Sequence, residues 1–207
     1  MNNGLTDRQS QASPSTPMPR RVERRGEPVT GAVFLADCSY SMDERDGPRG
    51  DITSWTSHGT GPRRIDRLAK VLDYVLRRVR LRALVCFSDV PEEVTLRGRV
   101  LLPEPSGGTA LHLALDYVGG MVPPPERVIV LSDGSPNDVG LALAAGRRLA
   151  PMVIDAYYVG ADGDRLALQF MADLAACGGA GGKSGVFDLA EPELVGEAVV
   201  LRLTGPA

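Results

Sequence analysis

Val33-Phe34-Leu35-Ala36-Asp37-Cys38-Ser39-Tyr40-Ser41-Met42 is the stretch that decides how the rest of the chain is read. It opens as a continuous apolar run of strand length, short enough to be a strand buried on both faces. It then ends in an acid followed by alternating hydroxyls. The apolar half belongs in a core, and the polar half is out of place beside it unless it binds something. An Asp at the carboxyl end of a central strand, with Ser39 and Ser41 in the following turn, gathers oxygen atoms at one point. Oxygen-only ligation suits a hard divalent cation such as Mg2+, which prefers near-octahedral geometry and keeps several waters.

Outward from this stretch, apolar runs alternate with amphipathic segments. Ile65, Leu68, Ala69, Leu72, Val75, Leu76 and Val79 fall at helical spacing with Arg and Lys on the opposite face, which predicts a helix from Ile65 to Val79. Ala83 to Phe87 reads as the next strand and Val94 to Arg97 as another. The Asp89 to Glu93 link between them is too short for a parallel crossover, so the two should pair antiparallel at a sheet edge. After Pro103-Glu104-Pro105, Ser106-Gly107-Gly108-Thr109 opens a helix running through Leu115; its glycines let backbone approach a ligand and set the Thr109 hydroxyl at the helix start. Val128 to Leu131 is a second buried-strand run and ends in Ser132-Asp133-Gly134, repeating the pattern of the first.

The remainder predicts a helix at Val139–Leu149 entered through Pro136-Asn137-Asp138, a strand at Met152–Val159, a helix at Leu166–Cys177, a strand at Gly185–Leu189 and a closing helix at Glu191–Leu203. Strands and helices alternating at this spacing predict an α/β fold: a doubly wound, Rossmann-like three-layer sandwich, mainly parallel, with one antiparallel edge strand. Such sheets bind ligands at the carboxyl ends of strands where the strand order reverses, and Asp37 and Asp133 both fall at such ends.

Asp37-x-Ser39-x-Ser41 resembles the D-x-S-x-S signature of von Willebrand factor A domains, whose metal-ion-dependent adhesion site (MIDAS) also uses a distant Thr and a distant Asp. Thr109 in Ser106-Gly107-Gly108-Thr109 and Asp133 in Val130-Leu131-Ser132-Asp133-Gly134 match those two. The resemblance covers about residues 30 to 203 and departs at bulky Tyr40, where the family often has Gly, and in the long connection from 43 to about 63. It implies that Ser39, Ser41 and Thr109 are direct neutral ligands of Mg2+, with Mn2+ or Ca2+ as alternatives, and that Asp37 and Asp133 orient them and the bound waters. The cation is then left electrophilic, with an open position for an Asp or Glu of another protein. The expected function is a non-enzymatic protein–protein interaction module. Intracellular bacterial members of the family work with AAA-type ATPases or in stress-response and defence assemblies, and that analogy is the guide to pathway.

At 207 residues the chain is most simply a Ser/Pro/Arg-rich disordered tail at 1–28 and one domain at 29–207. A net charge of −3 argues against a nucleic-acid partner. No stretch approaches the roughly 18 apolar residues of a membrane span, and charge follows Arg20 and Arg21 where a secretory signal would be apolar. Cys38, Cys86 and Cys177 form no C-x-x-C pair and leave an odd count, which points to reduced thiols and a cytoplasmic setting.

Other features compete for a role. Asp37 at a strand end could instead be a phosphoryl-accepting nucleophile, as in phosphatases of the haloacid-dehalogenase type, but those carry a second acid where this chain has Ser39. A metal-free structural scaffold is the remaining alternative. Cys177-Gly178-Gly179-Ala180-Gly181-Gly182-Lys183-Ser184 comes close to a phosphate loop, yet it follows a predicted helix and precedes a strand, the wrong order to aim a helix amino terminus at phosphate. Cys38 reads as a packing residue and His112 as a surface or packing histidine. Trp55 either anchors a partner or pins its loop, and Asp43, Glu44, Asp46 and Asp51 read as solvated loop charges that could add negative field near the cation.

Overall fold

The Val33–Ala36 run is the centre of the sheet because every residue of its strand is buried. In the computed structural model, which describes residues 30–45, 61–96, 100–160 and 164–204, β1 spans Ala32–Asp37 and is flanked by β2 (Ala83–Phe87) and β4 (Arg127–Ser132), both parallel to it. Beyond β2 lies β3 (Pro91–Glu93), antiparallel, and beyond β4 lie β5 (Val153–Val159) and β6 (Ser184–Phe187), giving the order β3-β2-β1-β4-β5-β6. The strand order therefore reverses between β1 and β4.

Strand periodicity divides the core in two. Phe34 and Ala36 face α1 (Arg64–Leu76) and α5 (Pro192–Thr204), which bring Leu68, Leu72, Val75, Val195 and Val199 to one layer. Val33 and Leu35 face α2 (Leu111–Gly119), α3 (Val139–Arg148) and α4 (Arg165–Cys177), which bring Leu115, Ala145, Phe170 and Leu174 to the other. Each fully buried Leu, Val or Phe contributes about 1.5–3 kcal/mol of transfer free energy. The two halves of β1 are thus fixed from both sides, and Asp37, next in line, has its position dictated by that packing. Asp138 caps α3 by accepting from Leu141 N at 2.8 Å, and Asp164 caps α4 by accepting from Leu166 N at 2.8 Å.

Two expectations shift. The edge strand predicted at Val94–Arg97 lies earlier, at Pro91–Glu93, in register Val85↔Glu93, Cys86↔Glu92 and Phe87↔Pro91. An edge strand is chosen by backbone pairing rather than by burying both faces, so Pro91 at its first position and two exposed glutamates are tolerated. Val94 instead packs against the α1/α5 layer. The helix expected to open at Thr109 begins at Leu111, because the Thr109 and Ala110 amides are taken from outside it, by Asn137 Oδ1 at 3.1 Å and by Ser88 O at 2.7 Å. The tail at 1–28, Asp46, Asp51, Trp55 and Arg97 lie outside the described residues. Among the described residues, no helix is long and apolar enough to cross a membrane.

Candidate metal centre

At the carboxyl ends of β1 and β4, the parallel register that pairs Ala36 with Leu131 sets Asp37 beside Ser132. Asp37 is fully buried. Its Oδ1 accepts from Ser39 N at 2.8 Å, and its Oδ2 accepts from the Ser132 hydroxyl. Ser39 Oγ lies 3.1 Å from Ser41 Oγ, and Ser41 Oγ donates to Asp133 Oδ1 at 2.7 Å. Asp37, Ser39, Ser41 and Asp133 are therefore brought into one hydrogen-bonded chain from positions far apart in sequence. A short 3-10 turn at Tyr40–Asp43 makes the junction possible, tucking Met42 into the core and aiming Ser41 back at β4.

Thr109 approaches on a third segment. Tyr40 N donates to Gly107 O at 3.2 Å and Ser106 N to Cys38 O at 3.0 Å, so the Ser106–Thr109 loop is stitched to the Asp37–Ser41 turn. Gly107 has φ of +66°, and a Cβ there would come 2.3 Å from Asp89 Oδ2, while Asp89 Oδ1 accepts from Gly108 N at 2.8 Å. The left-handed backbone favours glycine, and the Asp89 carboxylate would have to shift for any side chain there. Thr109 is buried, and its backbone exchanges hydrogen bonds with Asn137. Among the described residues no hydrogen bond joins its hydroxyl to the chain Asp37–Ser39–Ser41–Asp133.

The electrostatics are unbalanced. Burial, and next the charge of Asp133, push the Asp37 carboxyl up from 3.8 to about 6, against the opposing pull of its bonds to Ser132 and Ser39. Asp133 Oδ2 receives Arg64 Nη1 at 2.8 Å. Two buried acids are thus met by hydroxyls, one amide and one guanidinium. A divalent cation would relieve the mutual repulsion that one guanidinium and the neutral donors leave in place, and the donor set is of the hard oxygen type. Among the described residues no group of three or more His, Cys, Asp or Glu could hold a metal, which sets this arrangement apart from a His/Cys zinc centre.

Ser132, Asn137 and Arg64 take part without having been singled out in the sequence. Ser132 had a signal, since it precedes Asp133 at a buried strand end. Arg64 had none, being one of several cations around the amphipathic helix. Of the acids read as solvated loop charges, Asp43 pairs with Arg63 at 3.2 Å and Glu44 with Arg64 at 3.2 Å. Tyr40 is 69% exposed and projects from the rim. His112, in the first turn of α2, is half-buried, with Nδ1 lacking a partner among the described residues.

The glycine-rich turn has a structural explanation. A Cβ at Gly178, Gly179 or Gly182 would come within 2.7, 2.0 or 2.5 Å of backbone carbonyl oxygens of Met152, Pro151 and Ile154, so these glycines let the turn lie on the amino-terminal half of β5. The Lys183 amide is already occupied, donating to Asp155 Oδ1 at 2.9 Å. A phosphate there would meet a fixed carboxylate. Cys38 and Cys86 are buried free thiols, and the hydrogen bond between them together with burial drives the Cys38 thiol far upward, leaving it protonated and unreactive.

Solved structures with this fold include proximal thread matrix protein 1 from the mussel byssus (TM-score 0.59, 15% identity, 86% of this chain and 46% of that chain). Others are manganese-loaded TRAP protein of Plasmodium vivax (TM-score 0.53, 17% identity, 84% and 73%) and the D319A mutant of the PilB minor pilin from Streptococcus sanguinis (TM-score 0.55, 12% identity, 90% and 65%). The mussel protein has also been solved with a zinc-occupied MIDAS motif (TM-score 0.57, 17% identity, 84% and 45%). The chain spans less than half the length of the mussel protein. No family model and no curated protein matches the sequence.

Proposed function

We propose that the chain is a von Willebrand factor A-like interaction module in which Asp37, Ser39, Ser41, Thr109 and Asp133 hold a divalent cation, Mg2+ in the first instance, and present it to an acidic side chain of another protein. The observation that carries this reading is the convergence of two buried carboxylates and two serine hydroxyls at the switch point of the sheet, linked Asp37–Ser39–Ser41–Asp133. The metal-loaded mussel and Plasmodium neighbours support it.

Ser39 and Ser41 offer uncharged oxygens, and the Ser106–Thr109 loop, stitched to their turn, offers Thr109. Asp37 is held back by its bonds to Ser39 N and Ser132 Oγ, so it orients the serine turn. Asp133 aims the Ser41 hydroxyl from the opposite side. The bound ion would supply a positive charge only partly neutralised by these donors, which is what an incoming carboxylate recognises. Tyr40, exposed in the same turn, flanks that approach.

The same hydrogen bonds weigh against a phosphoryl-transfer enzyme. A nucleophilic Asp37 would need a free oxygen, and both of its oxygens are engaged within a fully buried side chain. The setting we infer is the bacterial cytoplasm, in an assembly with an AAA-type ATPase or other stress-response or defence proteins; the free thiols support the reducing compartment. Calorimetric titration with Mg2+ and Mn2+, with capture of partners from native cells with and without chelator, tests the reading. Ser39→Ala should weaken metal binding at least tenfold and abolish chelator-sensitive capture. Equal behaviour of the two proteins would support the metal-free scaffold instead.

A further inference from the structure

The contact between Arg64 and Asp133 is not explained by holding the helix in place. Arg64 is the first residue of α1, and its backbone amide donates to Glu44 O at 3.0 Å, which already pins the helix start to the end of the serine turn. Its side chain, only 17% exposed, reaches inward to Asp133 Oδ2 at 2.8 Å, and that carboxylate is completely buried. Its neighbour Arg63 turns the other way, to Asp43, Asp66 and Glu104 on the surface. The two adjacent arginines divide the acids, Arg63 serving the rim and Arg64 reaching the interior as well as the exposed Glu44, whose Oε2 lies at 3.2 Å.

We propose that Arg64 is a resident counter-cation of the metal centre: its guanidinium neutralises Asp133 when no ion is bound, and its permanent charge lowers the affinity of the site for a divalent cation. The inference rests on the metal-binding reading above. Asp133 has one oxygen committed to Ser41 and the other to Arg64, so the guanidinium stands one side chain away from the hydroxyls that would hold the ion. A guanidinium does not lose its proton in the accessible pH range, so this charge cannot be titrated away as metal enters. It acts as a positioning residue, holding Asp133 directed at Ser41, and as a repulsive neighbour to any added cation. At separations of a few ångströms in a partly buried setting, such a charge changes affinity by a factor on the order of ten or more.

The two effects have opposite signs, and that separates them from an ordinary structural ion pair. Full-length wild type, Arg64→Gln and Arg64→Lys are titrated with Mg2+ and Mn2+ by calorimetry and melted in chelator. Arg64→Gln should lower the melting temperature in chelator, because Asp133 loses its counter-charge, while tightening metal binding about tenfold. Arg64→Lys, which keeps the charge, should bind metal like wild type. If Arg64→Gln does not fold in chelator, its affinity is read from metal-loaded protein by competition with a chromophoric chelator, and the same tightening is expected. Unchanged or weaker metal binding in Arg64→Gln overturns the inference and leaves the metal reading standing. Failure of wild type to bind either ion overturns both.

Discussion

Two regions of the sheet each bury an aspartate completely, and they solve the problem of that charge in opposite ways. Asp155, on β5, is closed off: Arg127 Nη1 approaches at 2.5 Å, Arg202 Nε and Nη2 at 3.1 and 3.0 Å, and Lys183 N at 2.9 Å. Two fixed cations serve one carboxylate. At the ends of β1 and β4 the ratio is reversed: among the described residues one guanidinium, that of Arg64, meets Asp133, while Asp37 is met by a hydroxyl and an amide and Asp133 by one further hydroxyl. The first arrangement is complete within the chain. The second is short of positive charge, and that imbalance is the physical basis of the metal-binding role proposed for it.

The largest expected effect breaks the closed region. Asp155→Ala leaves Arg127 and Arg202 facing each other without their shared anion and frees the Lys183 amide, and it should cost about 3–5 kcal/mol of stability in urea denaturation. Metal affinity should stay unchanged, because the mutated site lies away from the carboxyl ends of the strands.

The open region should respond the other way. Asp37→Asn keeps an oxygen for Ser39 N and removes one of the two repelling charges, so in chelator at pH 7 it should stabilise the protein by about 1–3 kcal/mol while abolishing metal-induced stabilisation. The pH dependence follows from the same imbalance. The Asp37 carboxyl is raised from 3.8 to about 6 in the folded protein, so folded chains hold this proton more tightly than unfolded ones. That contribution to stability is fully present below about pH 4 and is lost as pH rises through about 6, a difference of about 3 kcal/mol. Wild type in chelator should show this loss when melting curves from pH 4 to 7 are compared with those of Asp37→Asn, in which it should vanish.

A smaller effect concerns the loop that carries Thr109. Gly107→Ala meets both a left-handed backbone and Asp89 Oδ2 at 2.3 Å, and should cost about 1–2 kcal/mol. Chemical denaturation measures that loss, and a weaker metal affinity in the same variant would show that the loop's position matters to the site.

Most of the fold was legible because buried strands advertise themselves. Val33–Ala36 and Val128–Leu131 are unbroken apolar runs that no exposed segment could contain, and each is followed by an acid. The edge strand was misplaced, since Pro91–Glu93 carries no apolar period and is selected by its backbone bonds to β2 alone. Within the proposed site, Asp37, Ser39 and Ser41 stand out in local spacing, and Thr109 and Asp133 through the resemblance. Ser132 and Arg64 were not read, because their roles depend on which strand lies beside β1 and on where α1 begins, and neither is written in local pattern. Arg127 and Arg202 escaped for the same reason: each looks like a surface cation until the sheet register and α5 bring both onto Asp155.

The most direct test of the central claim is a crystal of the wild-type protein soaked in Mn2+, with anomalous scattering recorded at the manganese edge. The account predicts one strong peak at the carboxyl ends of β1 and β4, in contact with Ser39 and Ser41 and within reach of Thr109. A peak elsewhere, or none, with Ser41 still bonded to Asp133, would contradict it.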